Sequence, residues 1–365
     1  MNRENLFRST DSGNTWKQVF GSGGTIESSL APYTAFTGIH WLFDIEIDPF
    51  DSDHAMFTTG YGGHETFNLM DMDRDLPTKW VVMSPGIVEN VPLDLLSPPK
   101  GAYLITGVGD YGGSVHWDLD KPAPEGNFSN PRFGNTNSLA CAEKYPHIIV
   151  RVGRATGDNP GKTIGYSIEH GRTWQSTLSL PDPESSLGHI AVSSTGSTWI
   201  WAPDPVYGDY GYGRASKLLP VYYTENNGAS WNECKGIPRN TRVIADRVDP
   251  RIFYGMDLFG GKFYISTNGG KYFNETPLNI LGELPQRSGF RGDSRGGQDR
   301  IYATPGRRGD LWIAAFDDLY HSVNTGKTFI KVTSVSEIHL NFNTGILTHK
   351  IQNFYGQVNS RNIDY

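Results

Sequence analysis

The chain has 365 residues, a formal net charge of −7 and only two cysteines. It carries no basic stripe that would favour a nucleic-acid partner, and no apolar run of about 18 residues that would cross a bilayer. Its 43 glycines, 22 prolines and 12% aromatic residues are typical of many short strands joined by turns, so they predict an all-β protein.

Five segments share the pattern Ser/Thr-x-Asp/Asn/Glu-x-Gly-x-Thr/Ser/Tyr-Trp/Phe. In chain order they are STDSGNTW at 9–16, SIEHGRTW at 167–174, TENNGASW at 224–231, STNGGKYF at 266–273 and SVNTGKTF at 322–329. In such a box the acidic or amide side chain accepts hydrogen bonds from the turn's own amides, and the glycine takes a left-handed conformation. The closing aromatic residue packs back between strands. Each box is therefore predicted to join two antiparallel strands.

The stretches between the boxes predict the larger architecture. Residues 47–60, 143–154 and 247–257 each contain a turn with proline followed by an apolar strand. The last four boxes start about 40–60 residues apart, a repeat length typical of propeller blades. We expect a β-propeller of about seven four-stranded blades over residues 1–340, incomplete at its C-terminal end, followed by a divergent tail at 341–365. The boxes resemble the Asp-box repeats of sialidases, sortilin-type receptors and several glycosidases, in which they are structural.

Residues 104–119, LITGVGDYGGSVHWDL, place one carboxylate among several glycines. The glycines on both sides of Asp110 allow positive φ angles and a close approach by a bulky group. A carboxylate that faces a ligand would be built in this way. An ordinary tight turn would be built in the same way, so the local pattern leaves both interpretations open.

Longer stretches resemble one enzyme family. FDIEIDPFDSDHAMFTTG at 43–60, the segment at 93–119 and NTNSLACAEKYPHIIVRVG at 135–153 are similar to successive landmarks of the second propeller of glycoside hydrolase family 74, the xyloglucanases. The similarity continues through 189–255 and covers roughly residues 5–340. It implies an enzyme of two propellers separated by an open cleft, which cuts the β-1,4-glucan backbone of xyloglucan with inversion.

The resemblance also implies catalytic roles. In this family one aspartate comes from each propeller, and the general acid of the second propeller lies in a Gly-Asp-x-Gly-Gly motif that matches Asp110. The general base would belong to a first propeller that these residues do not contain, and the chain opens almost directly on a box, as expected of a fragment. Ser114, Val115 and Trp117 depart from the residues that the family usually has after the motif.

Aromatic and glycine-rich segments supply candidates for substrate binding, because glycan clefts are lined by rings with flat apolar faces. Each candidate has a structural alternative, either an inter-blade core residue or a plain surface loop. Trp41 and Trp80, in strand-like contexts, are predicted to lie in the core. The candidate substrate-binding residues are Trp117, Tyr61, His64, Tyr207, Tyr210 and Tyr212.

The predicted partner is a polysaccharide, xyloglucan or a related β-glucan, with neither nucleic acid nor membrane involved and with the first propeller completing the cleft. No metal or other cofactor is expected, because the histidines and Cys141 and Cys234 lack ligand spacing. The family resemblance implies an extracellular protein, although no signal-peptide pattern is visible. The alternative function is a non-catalytic propeller that binds glycans or a protein partner. A sialidase is disfavoured because Arg242, Arg247 and Arg251 lie too close in sequence for its arginine triad.

Overall fold

The computed structural model divides the chain into two compact units, Met1–Val91 and Pro92–Tyr365. The predicted tail at 341–365 lies outside the described residues, so the predicted boundary at residue 340 stays a prediction. Among the residues that the structure describes, no helix has the length and apolar character needed to cross a membrane. The described residues are 4–35, 38–85, 90–156, 160–207, 215–258, 260–283, 300–315 and 318–332.

The first unit is built around one five-stranded sheet. Strands β4 to β7 form an antiparallel meander, and β3 lies parallel to β7 at its edge. Phe57 and Trp80 form the centre of its core, with ring centroids 4.8 Å apart. Its elements are β1 (Phe7–Arg8), β2 (Lys17–Gln18), β3 (Thr25–Glu27), the 3₁₀ helix η1 (Pro32–Thr34), β4 (Ile45–Ile47), β5 (Ala55–Thr59), β6 (Gly62–Thr66), the 3₁₀ helix η2 (Leu69–Arg74) and β7 (Lys79–Val82).

The second unit is a series of mostly four-stranded antiparallel sheets. The first half of its strands are β8 (Pro92–Leu96), β9 (Leu104–Val108), β10 (Gly112–His116), β11 (Phe133–Cys141), β12 (Ile149–Ala155), β13 (Ile164–Ser167), β14 (Gln175–Ser176), β15 (His189–Val192), β16 (Trp199–Ala202), β17 (Val206–Tyr207) and β18 (Ala215–Lys217). The remaining strands are β19 (Tyr222–Thr224), β20 (Asn232–Glu233), β21 (Val243–Ala245), β22 (Phe253–Asp257), β23 (Lys262–Ser266), β24 (Asn274–Pro277), β25 (Ile280–Leu281), β26 (Arg300–Ala303), β27 (Leu311–Ala315), β28 (Asp318–Ser322) and β29 (Phe329–Lys331).

These strands pair in chain order within five successive sheets. The sheets are β8–β10, β11–β14, β15 with β16, β19 and β20, β21–β24, and β26–β29 with β25 parallel to β29. Strands β17 and β18 form a separate pair inside the connection from β16 to β19. The first strands of the five sheets contact one another in chain order, from β8 through β11, β15 and β21 to β26. Such contacts between first strands are typical of propeller blades around a common axis.

Apolar faces of successive sheets pack against each other. One cluster joins Ile149 to Ile105 and Val115, and another joins Val150 to Trp201. Alternating side chains of a strand face opposite sides, so one sheet contributes to the cluster before it and to the cluster after it. This two-sided burial explains why β16 is an entirely buried apolar run.

The direction of the strands defines two ends in every sheet. We label the antiparallel strands of a sheet A to D in chain order, leaving out β3 and β25, which pair in parallel at an edge. Because neighbouring strands are antiparallel, the start of strand A and the turn between B and C lie at one end, called the BC end. The turn between C and D lies at the opposite end. In the second unit all four boxes join strands C and D, so this opposite end is called the box end.

The boxes form the turns that the sequence predicts. In the fourth box Ser266 Oγ accepts the N–H of Gly270 at 2.9 Å, and Asn268 Oδ1 accepts the N–H of Tyr272 at 3.1 Å. The same glycine has φ +81°, and the equivalent glycines of the other boxes also have positive φ. The closing ring of Phe273 is 1% exposed, whereas that of Trp16 is 60% exposed. The expected packing is therefore wrong for Trp16, because β1 and β2 pair only with each other among the described residues.

Candidate functional site

Asp110 lies at the tip of the turn between β9 and β10, at the BC end of the first sheet in the second unit. Gly112 pairs with Val108, so Gly109, Asp110 and Tyr111 make the turn. The N–H of Tyr111 donates to the carbonyl of Gly109 at 2.9 Å, and Asp110 has φ +70°. An i to i+2 hydrogen bond around a residue with this φ defines a γ-turn, a rare and strained conformation. The Asp110 side chain is exposed to solvent.

A neighbouring sheet holds this turn in place. The backbone N–H of Asp110 donates to Asn135 Oδ1 at 3.1 Å. Asn135 belongs to β11 and follows an irregularity in its pairing with β12. Strain is retained at a site only when surrounding contacts over-determine the conformation, and such strain clusters at functional sites. The hydrogen bond from Asp110 to Asn135 is one of these contacts.

Two of the glycines around Asp110 are required by packing, and one of them also by its backbone conformation. A Cβ on Gly112 would lie 2.7 Å from the carbonyl oxygen of Phe133, and one on Gly107 would lie 2.9 Å from that of Thr136. Gly112 also has φ +80°. These glycines are therefore needed because the β9–β10 hairpin lies against the backbone of β11. Their space is filled by the neighbouring strand, so it does not admit a ligand.

Trp117 follows β10 and lies at the box end of the sheet. Five residues of β10 separate it from the turn, which corresponds to about 16 Å. Its Nε1 donates to the carboxylate of Glu125 at 3.0 Å, and the guanidinium carbon of Arg172 lies 3.9 Å from its ring centroid. Arg172 belongs to the box of the next sheet. The structure thus does not bring Trp117 to Asp110, and its location fits the inter-blade alternative.

Tyr61 and His64 lie on the B–C hairpin of the first unit, between β5 and β6. Tyr61, at the tip, is 9% exposed. His64 is buried and stacks on Phe57 with centroids 4.5 Å apart, while its Nδ1 donates to the carbonyl of Gly62 at 3.2 Å. Burial lowers the pKa of His64. His64 is therefore a neutral core residue in this unit, and Tyr61 is also largely buried, at the BC end.

Trp41 is the aromatic residue that the sequence analysis missed. It was predicted to lie in the core with Trp80, but it is 58% exposed, while Trp80 is fully buried as predicted. Trp41 has φ +52°, and its ring stacks on His40 with centroids 4.9 Å apart. The His40 ring lies 6.2 Å from that of Tyr61. Trp41 precedes β4, which is strand A of its sheet, and this position in the sequence could have predicted that Trp41 lies at the BC end.

The three remaining tyrosines belong to the long connection between β16 and β19, a B–C connection of the second unit. Tyr207 ends β17. Tyr210 and Tyr212 lie outside the described residues. Among the residues that the structure describes, no group of three or more histidine, cysteine, aspartate or glutamate side chains is arranged to hold a metal ion.

Comparisons with known proteins identify relatives of one kind. No protein-family model matches the sequence. The chain is 36% identical over 359 residues to a xyloglucanase from Paenibacillus sp, a match that covers 91% of this chain and 32% of that protein. It is 33% identical over 331 residues to the xyloglucanase Xgh74A of Acetivibrio thermocellus, with 86% of this chain and 36% of that protein covered.

The solved structures agree with these relatives. The crystal structure of the GH74 xyloglucanase from Xanthomonas campestris matches with a TM-score of 0.68 and 25% identity, over 91% of this chain and 51% of that one. The GH74 enzyme of Niastella koreensis matches with a TM-score of 0.67 and 25% identity, over 90% of this chain and 42% of that one. The sheets and these matches define an all-β protein built from β-propeller blades. The chain belongs with the xyloglucanases of glycoside hydrolase family 74, and it spans about a third of the curated relatives named here.

Proposed function

We propose that this chain supplies the general acid of a xyloglucan-cleaving glycosidase, and that Asp110 is this acid. The observation that supports the proposal most directly is the exposed position of Asp110 on a strained turn that Asn135 holds from the neighbouring sheet. A proton donor must reach the glycosidic oxygen of a bulky polymer, which an exposed turn at the BC end permits. The names of the relatives supply the substrate class.

In the proposed inverting reaction, Asp110 gives its proton to the glycosidic oxygen as the bond from that oxygen to the anomeric carbon breaks. A second carboxylate, about 6.5–9.5 Å away, takes a proton from the water that attacks the anomeric carbon from the opposite face. We place this base in a further propeller outside the 365 residues. This placement is supported by the length of the Paenibacillus relative, of which this chain matches only 32%, so that most of the relative lies outside the matched region.

Trp41 is the described residue best suited to bind sugar. Trp41 is 58% exposed, and its ring stacks on that of His40. An exposed flat apolar ring offers a surface on which a sugar ring can pack. Tyr61 is only 9% exposed and lies 6.2 Å from the His40 ring, so it stays a secondary part of the proposal. His64 is occupied in the core, and Trp117 is covered by Arg172. We also propose that Tyr207, Tyr210 and Tyr212 contact the polysaccharide. The proposed location of the protein is extracellular.

The test replaces the matching region of the Paenibacillus xyloglucanase by this chain and measures reducing ends released from xyloglucan. We expect the chimera to be active and to release products that are initially in the α configuration, as inversion requires. Asp110→Asn should lower kcat by at least about 100-fold. Asp120→Asn, an exposed carboxylate beyond the box end of the same hairpin, is the matched control and should leave kcat unchanged.

Other outcomes would overturn parts of the proposal. An active chimera that is insensitive to Asp110→Asn would remove Asp110 as the acid. Hydrolysis by this chain alone, abolished by Asp110→Asn, would show that the base is not in another domain. Binding of xyloglucan by the chain, without turnover in the chimera, would favour the alternative of a non-catalytic glycan-binding propeller.

A further inference from the structure

The second unit contains a cavity of about 580 Å³ beside the first strands, labelled A, of its five sheets. Strands β8, β11, β15, β21 and β26 all contribute to its wall, together with residues that precede or follow them. Most of the wall is apolar, and Leu139, Ile190 and Ile301 are examples. This volume lies within the range of small-molecule binding sites in proteins.

Charged side chains gather at the BC end of this cavity. His189 and Arg300 are the first residues of β15 and β26, and Arg242 immediately precedes β21. Asp94, in β8, and Asp204, which follows β16, also line the cavity. Each residue lies near the start of a strand A or the end of a strand B, and the alternation of strand direction brings these positions together.

The two arginines keep hydrogen-bonding capacity that no described residue uses. Arg300 is 8% exposed, and its Nε is buried without a hydrogen-bond partner. The Nη1 of Arg242 is also buried and has no hydrogen-bond partner. A buried donor of this kind calls for an explanation, such as a bound water or ion. Guanidinium N–H groups suit planar or tetrahedral oxyanions best.

The other polar groups of the cluster are already engaged. The two oxygens of Asp94 accept the backbone N–H groups of Leu95 at 3.0 Å and Leu139 at 2.8 Å. His189 donates from Nδ1 to the carbonyl of Val243 at 3.1 Å, and burial lowers its pKa well below the usual value. The neutral His189 therefore adds no charge.

The charges of the two arginines also oppose each other. Burial, together with the positive charge of Arg300, lowers the pKa of Arg242 to about 10. Asp204 and Asp94 counter this effect in part. An anion held between the two guanidinium groups would accept hydrogen bonds from Arg300 Nε and Arg242 Nη1, which have no other hydrogen-bond partner among the described residues.

We propose that the BC end of this cavity is a binding site for a small molecule that carries an oxyanion, either a carboxylate or a phosphate group. The oxyanion accepts hydrogen bonds from Arg242 Nη1 and Arg300 Nε, and the apolar wall contacts the remainder of the molecule. The site uses none of the residues assigned to xyloglucan cleavage, so it stands independently of that function.

Isothermal titration of the full chain tests this site, with inorganic phosphate and benzoate as probes and sodium chloride to keep the ionic strength constant. We expect saturable binding with one site per chain to at least one probe. Binding of phosphate alone would identify a phosphate group as the ligand, and binding of benzoate alone a carboxylate on an apolar body. No saturable binding of either probe would overturn the proposal.

Variants separate this site from non-specific anion binding. Arg300→Gln and Arg242→Gln should each weaken binding by about tenfold or more, because each removes a charged hydrogen-bond donor. Arg300→Lys keeps the charge but not the Nε–H, so intermediate binding is expected even if the glutamine variant fails to fold. Arg251→Gln is the control, since Arg251 is an exposed partner of Asp249 outside the cavity. Equal affinity in the wild type, Arg300→Gln and Arg251→Gln would contradict the assignment.

Discussion

The guanidinium carbon of Arg151 lies 4.2 Å from the centroid of the Phe133 ring, although Arg151 is fully buried. The rings of Phe128 and Trp174 lie 4.6 Å and 4.7 Å from the same carbon. Arg151 also donates to the carbonyl of Pro131, while its Nε and Nη1 have no hydrogen-bond partner. Aromatic faces thus take the place of a carboxylate partner, and they join β12 to the chain that enters β11.

We predict that Arg151 stabilises the second unit mainly by filling space. Arg151→Ala would leave a cavity among three rings and should lower the free energy of unfolding by about 3 kcal/mol. Arg151→Met restores most of the volume without a buried charge, so its loss should be about 1 kcal/mol or less. Urea unfolding monitored by circular dichroism measures both values. A methionine variant as unstable as the alanine variant would show that the charge is needed.

Two box glycines with the same φ separate backbone strain from steric conflict. Gly269 and Gly326 both have φ +76°. A Cβ on Gly269 would lie 3.8 Å from Thr198 Oγ1, whereas one on Gly326 would lie 2.3 Å from the Phe263 ring. We expect Gly269→Ala to cost about 1 kcal/mol from strain alone, and Gly326→Ala to cost about 3 kcal/mol. Equal losses in thermal or urea unfolding would mean that the ring of Phe263 moves aside freely.

Trp41 and Trp16 form a matched pair for sugar binding in the first unit. Both rings are more than half exposed, but Trp41 lies at the BC end and Trp16 closes a box turn. Trp41→Ala should weaken the affinity for xyloglucan oligosaccharides by about tenfold, because a stacking surface is lost. Trp16→Ala should leave the affinity unchanged. Fluorescence titration measures both, and an equal loss in the two variants would contradict a specific platform at Trp41.

His54 should make the stability of the first unit depend on pH. Its Nε2 lies 2.8 Å from Glu65 Oε1, and its Nδ1 lies 3.1 Å from Asp48 Oδ2. The bond to Glu65, and then the bond to Asp48, raises the pKa of His54 above its usual 6.5. A group whose pKa is higher in the folded state than in the unfolded state stabilises the fold fully at pH values below its unfolded pKa. This stabilisation disappears as the pH rises through the folded pKa.

The measurement compares melting temperatures of the wild type and His54→Gln between about pH 5 and pH 9. The advantage of the wild type should be largest below the unfolded pKa and should shrink towards high pH. Glu65→Gln removes the larger cause of the raised pKa and should flatten this dependence. A difference between wild type and His54→Gln that does not change with pH would rule out the bridged histidine as its source.

The residues near Asp110 show where sequence patterns are sufficient and where they fail. The glycine-rich pattern predicted a turn with positive φ angles around Asp110, and the structure has Asp110 exposed on such a turn with φ +70°. The positive φ expected of the glycines is present at Gly112, whereas the space beside Gly107 and Gly112 is filled by β11. The residues that contact these glycines are some 20 to 30 residues further along the chain, so a local sequence pattern could not predict the contacts.

The two tryptophans of the first unit make the same point about burial. Trp41 and Trp80 have similar strand-like surroundings in sequence, yet one is 58% exposed and the other is fully buried. Trp80 lies inside β7, where alternation directs it towards Phe57, whereas Trp41 precedes β4 in a connection at the BC end. For Trp117, strand length alone places the ring far from Asp110, because β10 spans about 16 Å.

What the sequence by itself determined was the class of fold, the family and the box turns. The conformation of a box depends only on its own eight residues, because its hydroxyl and amide groups accept hydrogen bonds from the backbone of the same turn. Its glycine takes the positive φ without strain. Only the tertiary structure decided which rings are exposed, why the glycines near Asp110 are required, and that Arg242 and Arg300 meet at one cavity. Those features depend on contacts between separate sheets, and contacts over such sequence distances are set by packing of the whole unit.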